Sequence, residues 1–196
     1  MTLRKVVLGA VAPFALIFMS SPVLASTWLK TGGVTKTPAG HYHYCKRGGR
    51  HCGGQKVHAP IQLNSKRWSQ LKSINAQVNR AIKPATDMQT NGVDEHWTIP
   101  RTYGDFEDYS MLKRSKLIRA GFKPSQLSLA KVRQRNGEAH VVLVARTSEG
   151  DFTLDNLTIR VQHVSQTGHR FLAMQSATNA SQWLKIKGTS KKPPSN

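Results

Sequence analysis

The sequence has 196 residues, 38% of them hydrophobic, and a formal net charge of +19. That length suits one domain with accessory segments, and that apolar content builds a core but excludes an integral membrane protein. A surface this basic attracts anions: phospholipid headgroups, cell-wall polymers, acidic proteins or nucleic acid.

Residues 1–25 read as a secretory signal peptide. Arg4 and Lys5 lead an apolar run from Val6 to Met19, and Val23-Leu24-Ala25 offers a cleavage site ahead of Ser26. The rival is a retained membrane anchor. The run holds only 14 residues and is broken by Pro13, whereas a spanning helix needs about 20. Cleavage near Ala25 removes two cations and no acid, leaving a net charge of +17. The mature chain is therefore expected in the periplasm or secreted. Export argues against nucleic acid as the natural partner. It leaves an anionic envelope surface as one candidate partner and a plainly solvated basic face as the alternative.

Residues 26–64 are rich in Gly, Pro, His and basic side chains and read as a loop-rich lead-in. They hold both cysteines, Cys45 and Cys52. In an oxidising compartment two cysteines in one short loop favour a disulfide. Two free thiols are one rival. A metal site with His41, His43 or His51 is another, although the spacing fits no standard zinc pattern.

The first clear helix is expected over residues 65–83. Trp68, Leu71, Val78 and Ile82 fall near one face with Ile74 beside them. Asn64 or Ser65 caps its start and Pro84 stops it. Residues 84–104 read as extended or looped, with turn signals at Asn91-Gly92 and Pro100. A second helix is expected from Asp105 to Ala120. Asp105, Glu107 and Asp108 complement the dipole in its first turn, and Gly121 ends it. Its apolar residues Tyr109, Met111, Leu112, Leu117 and Ile118 cover more than one stripe, which predicts packing on several sides.

The pattern then turns to strands. Leu127–Arg133 alternates, Asn136-Gly137 is a hairpin signal, and 140–146 is almost wholly apolar. Further strands are expected at 152–156, 159–164, 171–174 and 183–186. Helices followed by an antiparallel meander make an α+β domain over residues 65–186. The basic tail, 187–196, is expected to be disordered.

His140 opens one strand and Asp155 closes the next, so a short hairpin brings them together. An aspartate so placed orients an imidazole and stabilises its charged form, although buried His–Asp pairs also occur without catalysis.

Three stretches carry more. Gly104-Asp105-Phe106-Glu107-Asp108-Tyr109 follows Trp97-Thr98-Ile99-Pro100 and precedes Leu112-Lys113-Arg114. Gly137-Glu138-Ala139-His140-Val141-Val142-Leu143 and Gly150-Asp151-Phe152-Thr153-Leu154-Asp155-Asn156-Leu157 come later, in that order. Together they resemble the bacterial transglutaminase-like cysteine proteinases of the LapG type, over roughly residues 40–186. The resemblance implies a papain-like or transglutaminase-like fold, with helices packed on an antiparallel sheet. It implies a periplasmic peptidase that cuts surface adhesins in the control of biofilm, held in check by an inner-membrane cyclic-di-GMP receptor. It also implies calcium, with Asp105 and Glu107 among the ligands. Against that stands the bland reading, in which these acids only compensate a helix dipole.

One position departs from the family pattern, Gly-Asp-Cys-Glu-Asp-Tyr. Phe106 stands where the nucleophilic cysteine is expected, beside a candidate pair His140 and Asp155. A phenyl ring has no lone pair with which to attack a carbonyl. Ser110 lies one turn further on, roughly 6 Å along the axis, too far to take over the same geometry. The reading therefore leans away from an enzyme, towards a pseudoprotease that binds an envelope protein or receptor. The alternatives are an active endopeptidase with an unrecognised nucleophile, and a basic envelope protein that holds anionic polymers.

Overall fold

The computed structural model describes residues 26–192. The leader expected over residues 1–25 and the end of the tail, 193–196, lie outside the described residues. In chain order the elements are β1 (Trp28–Thr35), α1 (Ala39–Lys46), α2 (Ser65–Ala81), β2 (Lys83–Pro84), α3 (Asp87–Asn91), β3 (Tyr103–Gly104) and α4 (Phe106–Arg119). They continue with β4 (Leu127–Arg133), β5 (Ala139–Thr147), β6 (Gly150–Leu154), β7 (Gln162–His163), β8 (Arg170–Gln175) and β9 (Trp183–Ser190). Short 3-10 turns at Pro124–Gln126 and Val164–Gln166 lead into β4 and out of β7.

α2 begins where the Asn64 side chain accepts the Arg67 N–H at 2.8 Å. It buries Leu71, Asn75 and Val78, the one-face spacing of an amphipathic helix. It stops at Ala81, two residues short of the expected end. Lys83 precedes Pro84, and a residue before proline is pushed into extended backbone. There Lys83 and Pro84 pair in parallel with Tyr103 and Gly104. α4 is buried nearly all round from Glu107 to Ser115, as its broad apolar surface predicts. Gly121, at φ 88°, ends it by taking the left-handed turn that glycine adopts without strain.

The main sheet has seven strands in the order β1-β9-β8-β4-β5-β6-β7, with antiparallel pairing throughout. Both its faces are covered. Leu127, Leu129, Val141, Leu143 and Ala145 join Leu71, Met111, Leu117 and Trp183 beneath the helices. Ala130, Val132, Val142 and Val144 pack with Leu29, Val164 and Met174 on the other side. Burial on two faces explains why β5 is apolar without alternation. Among the described residues no helix is long and apolar enough to cross a membrane.

Four expectations need correction, the first being that residues 84–104 are only extended or looped, since α3 lies within them. The lead-in over residues 26–64 is not all loop, because it supplies β1 and α1. β1 pairs with β9 from Trp28 opposite Ser190 to Thr35 opposite Trp183. That pairing also orders the first part of the expected tail, since β9 runs on to Ser190. Of the strand expected over 159–164, only Gln162 and His163 pair with β6, and Val164 already turns away.

Candidate functional site

The β5–β6 ladder sets Leu143 opposite Leu154, which carries Asp155 alongside the start of β5, where His140 lies. His140 Nε2 is 2.9 Å from Asp155 Oδ1, and both residues are buried. The backbone N–H of Leu157 donates to the same oxygen at 3.0 Å. The other oxygen, Oδ2, is 2.8 Å from Nε2 of His169, the residue just before β8. Burial opposes charge on Asp155, but hydrogen bonds from His140 and His169 and the charge of His140 hold its carboxyl far below the usual range. The sequence-predicted pair is thus brought together, and His169 makes it a cluster of three.

The loop after Asp155 is tied to α2. Asn79 Nδ2 donates to the carbonyls of Asp155 at 2.9 Å and Thr158 at 3.0 Å. Asn75 Nδ2 donates to Thr158 O at 3.0 Å. These two asparagines lie four residues apart, which puts their amides on one face of the helix.

Phe106 is the first residue of α4 and lies partly buried against the base pair. Its ring centre is 5.2 Å from that of His140, edge to face. Ser110, one turn on, is spent on structure: its hydroxyl lies 3.0 Å from Phe106 O and 3.1 Å from Val141 O. Lys113, a further turn along, is fully buried and its Nζ has no hydrogen-bond partner. Burial pushes its ammonium down to about 7 against the opposing charge of Asp155.

A second cluster forms at the α4 N-terminus. Asp105 is the cap residue, yet its side chain makes no capping bond. Asp87 of α3 joins Asp105 and Glu107, with ligand atoms within 4.8 Å of one another. Asp87 Oδ1 accepts from Asn91 Nδ2 at 3.2 Å, and its other oxygen accepts the His96 N–H. Asp105 Oδ1 and Glu107 Oε2 are buried without partners. Burial raises the carboxyls of Asp105 and Glu107, and the charge of Asp105 raises Glu107 further. Three crowded carboxylates, two of them with a buried unpaired oxygen, suit a hard cation bound through oxygen. Asp108 plays a different part, accepting the Thr98 N–H at 2.8 Å. Gly104 lets it do so: a Cβ there would stand 2.8 Å from the Asp108 side chain.

Cys45 and Cys52 form a disulfide with Cα atoms 5.7 Å apart. That excludes the free thiols and the metal site as readings of this state. His41 beside them is buried, and Trp183 Nε1 donates to its Nδ1 at 3.1 Å. Desolvation, followed by the charge of Arg114, pushes it down to about 4.

The residues that the sequence did not reveal are His169 and Asp87. His169 stands in a turn between strands with no recognisable neighbours, and Asp87 lies in a stretch expected to be extended or looped. The only local signal was Thr86-Asp87-Met88-Gln89, which folds as a capping box at the start of α3.

The profile of the bacterial transglutaminase-like cysteine proteinases matches residues 31–191. Among solved structures, LapG of Legionella pneumophila is similar. Its calcium-bound form is 22% identical with a TM-score of 0.52, over 63% of this chain and 71% of that one. Another LapG structure from the same organism is 26% identical with a TM-score of 0.51, over 61% and 69%. An EGTA-treated form is 24% identical with a TM-score of 0.50, over 61% and 70%. None of the curated proteins matches the chain.

Proposed function

This chain belongs to the bacterial transglutaminase-like cysteine proteinases, and from that premise we propose that it is a non-cleaving member that binds a protein of the cell envelope. The observation that carries the reading is Phe106 at the start of α4, packed edge to face on His140. A cysteine protease needs a thiolate there, activated by an adjacent imidazole and the helix N-terminus. The helix start, the imidazole and its orienting carboxylate are all present, and a ring without a lone pair occupies the first position. The nearby hydroxyl of Ser110 is engaged with two carbonyls. Losing a triad nucleophile leaves only the residual acceleration of binding and oxyanion contacts. The role left to such a chain is to bind without cutting a protein segment, such as part of an adhesin or of a membrane receptor, after removal of a leader peptide.

Calcium is part of the same proposal. Asp87, Asp105 and Glu107 would hold it, and the unpaired oxygens of Asp105 and Glu107 support the fit. The ion would supply the positive charge that lets these carboxylates stay ionised together. It would thereby fix the joint between β3 and α4, from which Phe106 projects.

The test is a paired cleavage assay on the mature chain and its Phe106→Cys variant. Each is incubated with envelope protein extract, with calcium or with EGTA, and new N-termini are read by mass spectrometry. Cleavage by the variant alone, abolished by adding His140→Ala, is the expected outcome. Cleavage by the natural chain would overturn the reading and require another nucleophile.

A further inference from the structure

We propose that His140, Asp155 and His169 bind a divalent transition-metal ion of the zinc class. The three side chains come from separate places in the chain: within β5, just after β6 and just before β8. Their ligand atoms nevertheless lie within 4.8 Å of one another. Zinc holds imidazole nitrogen at about 2.0–2.1 Å and carboxylate oxygen at about 2.0–2.2 Å, so its ligand atoms sit roughly 3–3.5 Å apart. Here the two nitrogens already stand 2.9 and 2.8 Å from the carboxylate oxygens. Two imidazoles sharing one ion through Nε2 have ring centres no more than about 6 Å apart. The centres of His140 and His169 are 5.7 Å apart. Small rotations of the side chains would admit the ion without moving a strand.

A proton-transfer dyad needs one imidazole and one carboxylate, and His169 is surplus to it. Its ring is held at Nε2 by Asp155, while its Nδ1 is buried with no partner. With an ion bound, each neutral ring turns its Nε2 lone pair to the metal and carries its proton on Nδ1. Asp155 exchanges two N–H donors for one cation. Nitrogen donors select the zinc class over calcium, which takes oxygen ligands. The two clusters at the start of α4 thus differ in the ion they suit. Phe106 closes one side with an apolar ring, and no thiolate competes for the metal. The proposal goes beyond the non-cleaving reading and does not depend on it, because its readout is binding.

The experiment titrates Zn2+ into the metal-free mature chain, with calcium in excess to occupy the acidic cluster. Affinity is measured by competition with a chromophoric chelator, and the histidine ring nitrogens are followed by 15N NMR. The expected result is one tight site, with the Nε2 signals of His140 and His169 moving together. His169→Gln should weaken that site by more than about 100-fold, since even residues that only orient ligands cost 10–100-fold. His43→Gln, on the exposed side of α1, should leave it unchanged. Equal affinity in the His169→Gln variant would overturn the proposal. So would ring nitrogens of His140 and His169 that stay in place in the natural chain while zinc binds, a result that does not depend on any variant folding.

Discussion

Asn79 shows how much of the site depends on groups that take no part in chemistry. Its amide donates to two carbonyls in the loop that carries Asp155. Alanine there would leave the Asp155 carbonyl without that donor and the Thr158 carbonyl with Asn75 alone. Leaving buried acceptors short of donors costs about 1–3 kcal/mol. Urea denaturation of Asn79→Ala should show a loss in that range with an unchanged slope. Stability equal to the natural chain would mean that the loop is held by other contacts. At this scale the sequence was informative where residues sit in ordered words. His140, Asp155, Asp105 and Glu107 were all found that way, and so was the odd Phe106. His169 and Asp87 join the same clusters only through folding. Neighbours in sequence carry no trace of a contact that a distant strand end supplies.

Among the elements, β4 was readable to the residue, because Leu127–Arg133 lies between a helix stop and an Asn-Gly turn. β1 was not. Gly32 and Gly33 break its pattern, and its register shifts at Lys30 and Thr31, so only pairing with β9 makes it a strand. α1 is eight residues long with no clear apolar stripe, and isolated helices that short are not stable. Its support comes from His41, buried against Trp97 and Trp183, and from the disulfide that links Cys45, near its end, to Cys52. Closing a loop of this length constrains the unfolded chain by about 2–3 kcal/mol. A Cys45→Ser, Cys52→Ser double variant should lose about that much stability. The loss should appear first as faster amide exchange in α1 and around His41, ahead of the main sheet. Uniform exchange across the chain would place α1 in the global folding unit instead.

For the whole molecule, buried charge sets how stability depends on pH. Asp155 has a depressed carboxyl, so its stabilising effect is complete above the ordinary carboxylate range, about 3.9, and is lost only as pH falls below it. Between pH 5 and 7 it contributes no slope. Asp108 is pushed up to about 8 by burial, and Glu107 is raised by burial and the charge of Asp105. In that window the folded chain holds protons that the unfolded chain has released, so stability falls as pH rises. Lys113, lowered by burial to about 7, acts in the opposite sense, because the unfolded chain binds its proton more readily. That effect develops between about 7 and 10.5, and His41, lowered by burial to about 4, acts in the same sense below its ordinary value of 6.5, so the acids are read out by comparison with a variant that lacks one of them. In EGTA the melting temperature should therefore change less favourably from pH 5 to pH 7 in the natural chain than in Glu107→Gln, the raised acids supplying a drop in that window. A change of 1 kcal/mol corresponds to about 2–4 °C for a chain of this size. Calcium should flatten the drop by supplying the charge that Asp105 and Glu107 lack. Glu107→Gln should flatten it without calcium and abolish most of the calcium-dependent gain, since an amide has no charge to desolvate. The same pH dependence in EGTA for the natural chain and Glu107→Gln would show that these carboxylates are relieved by solvent, and the case for a cation at Asp87, Asp105 and Glu107 would fall with it.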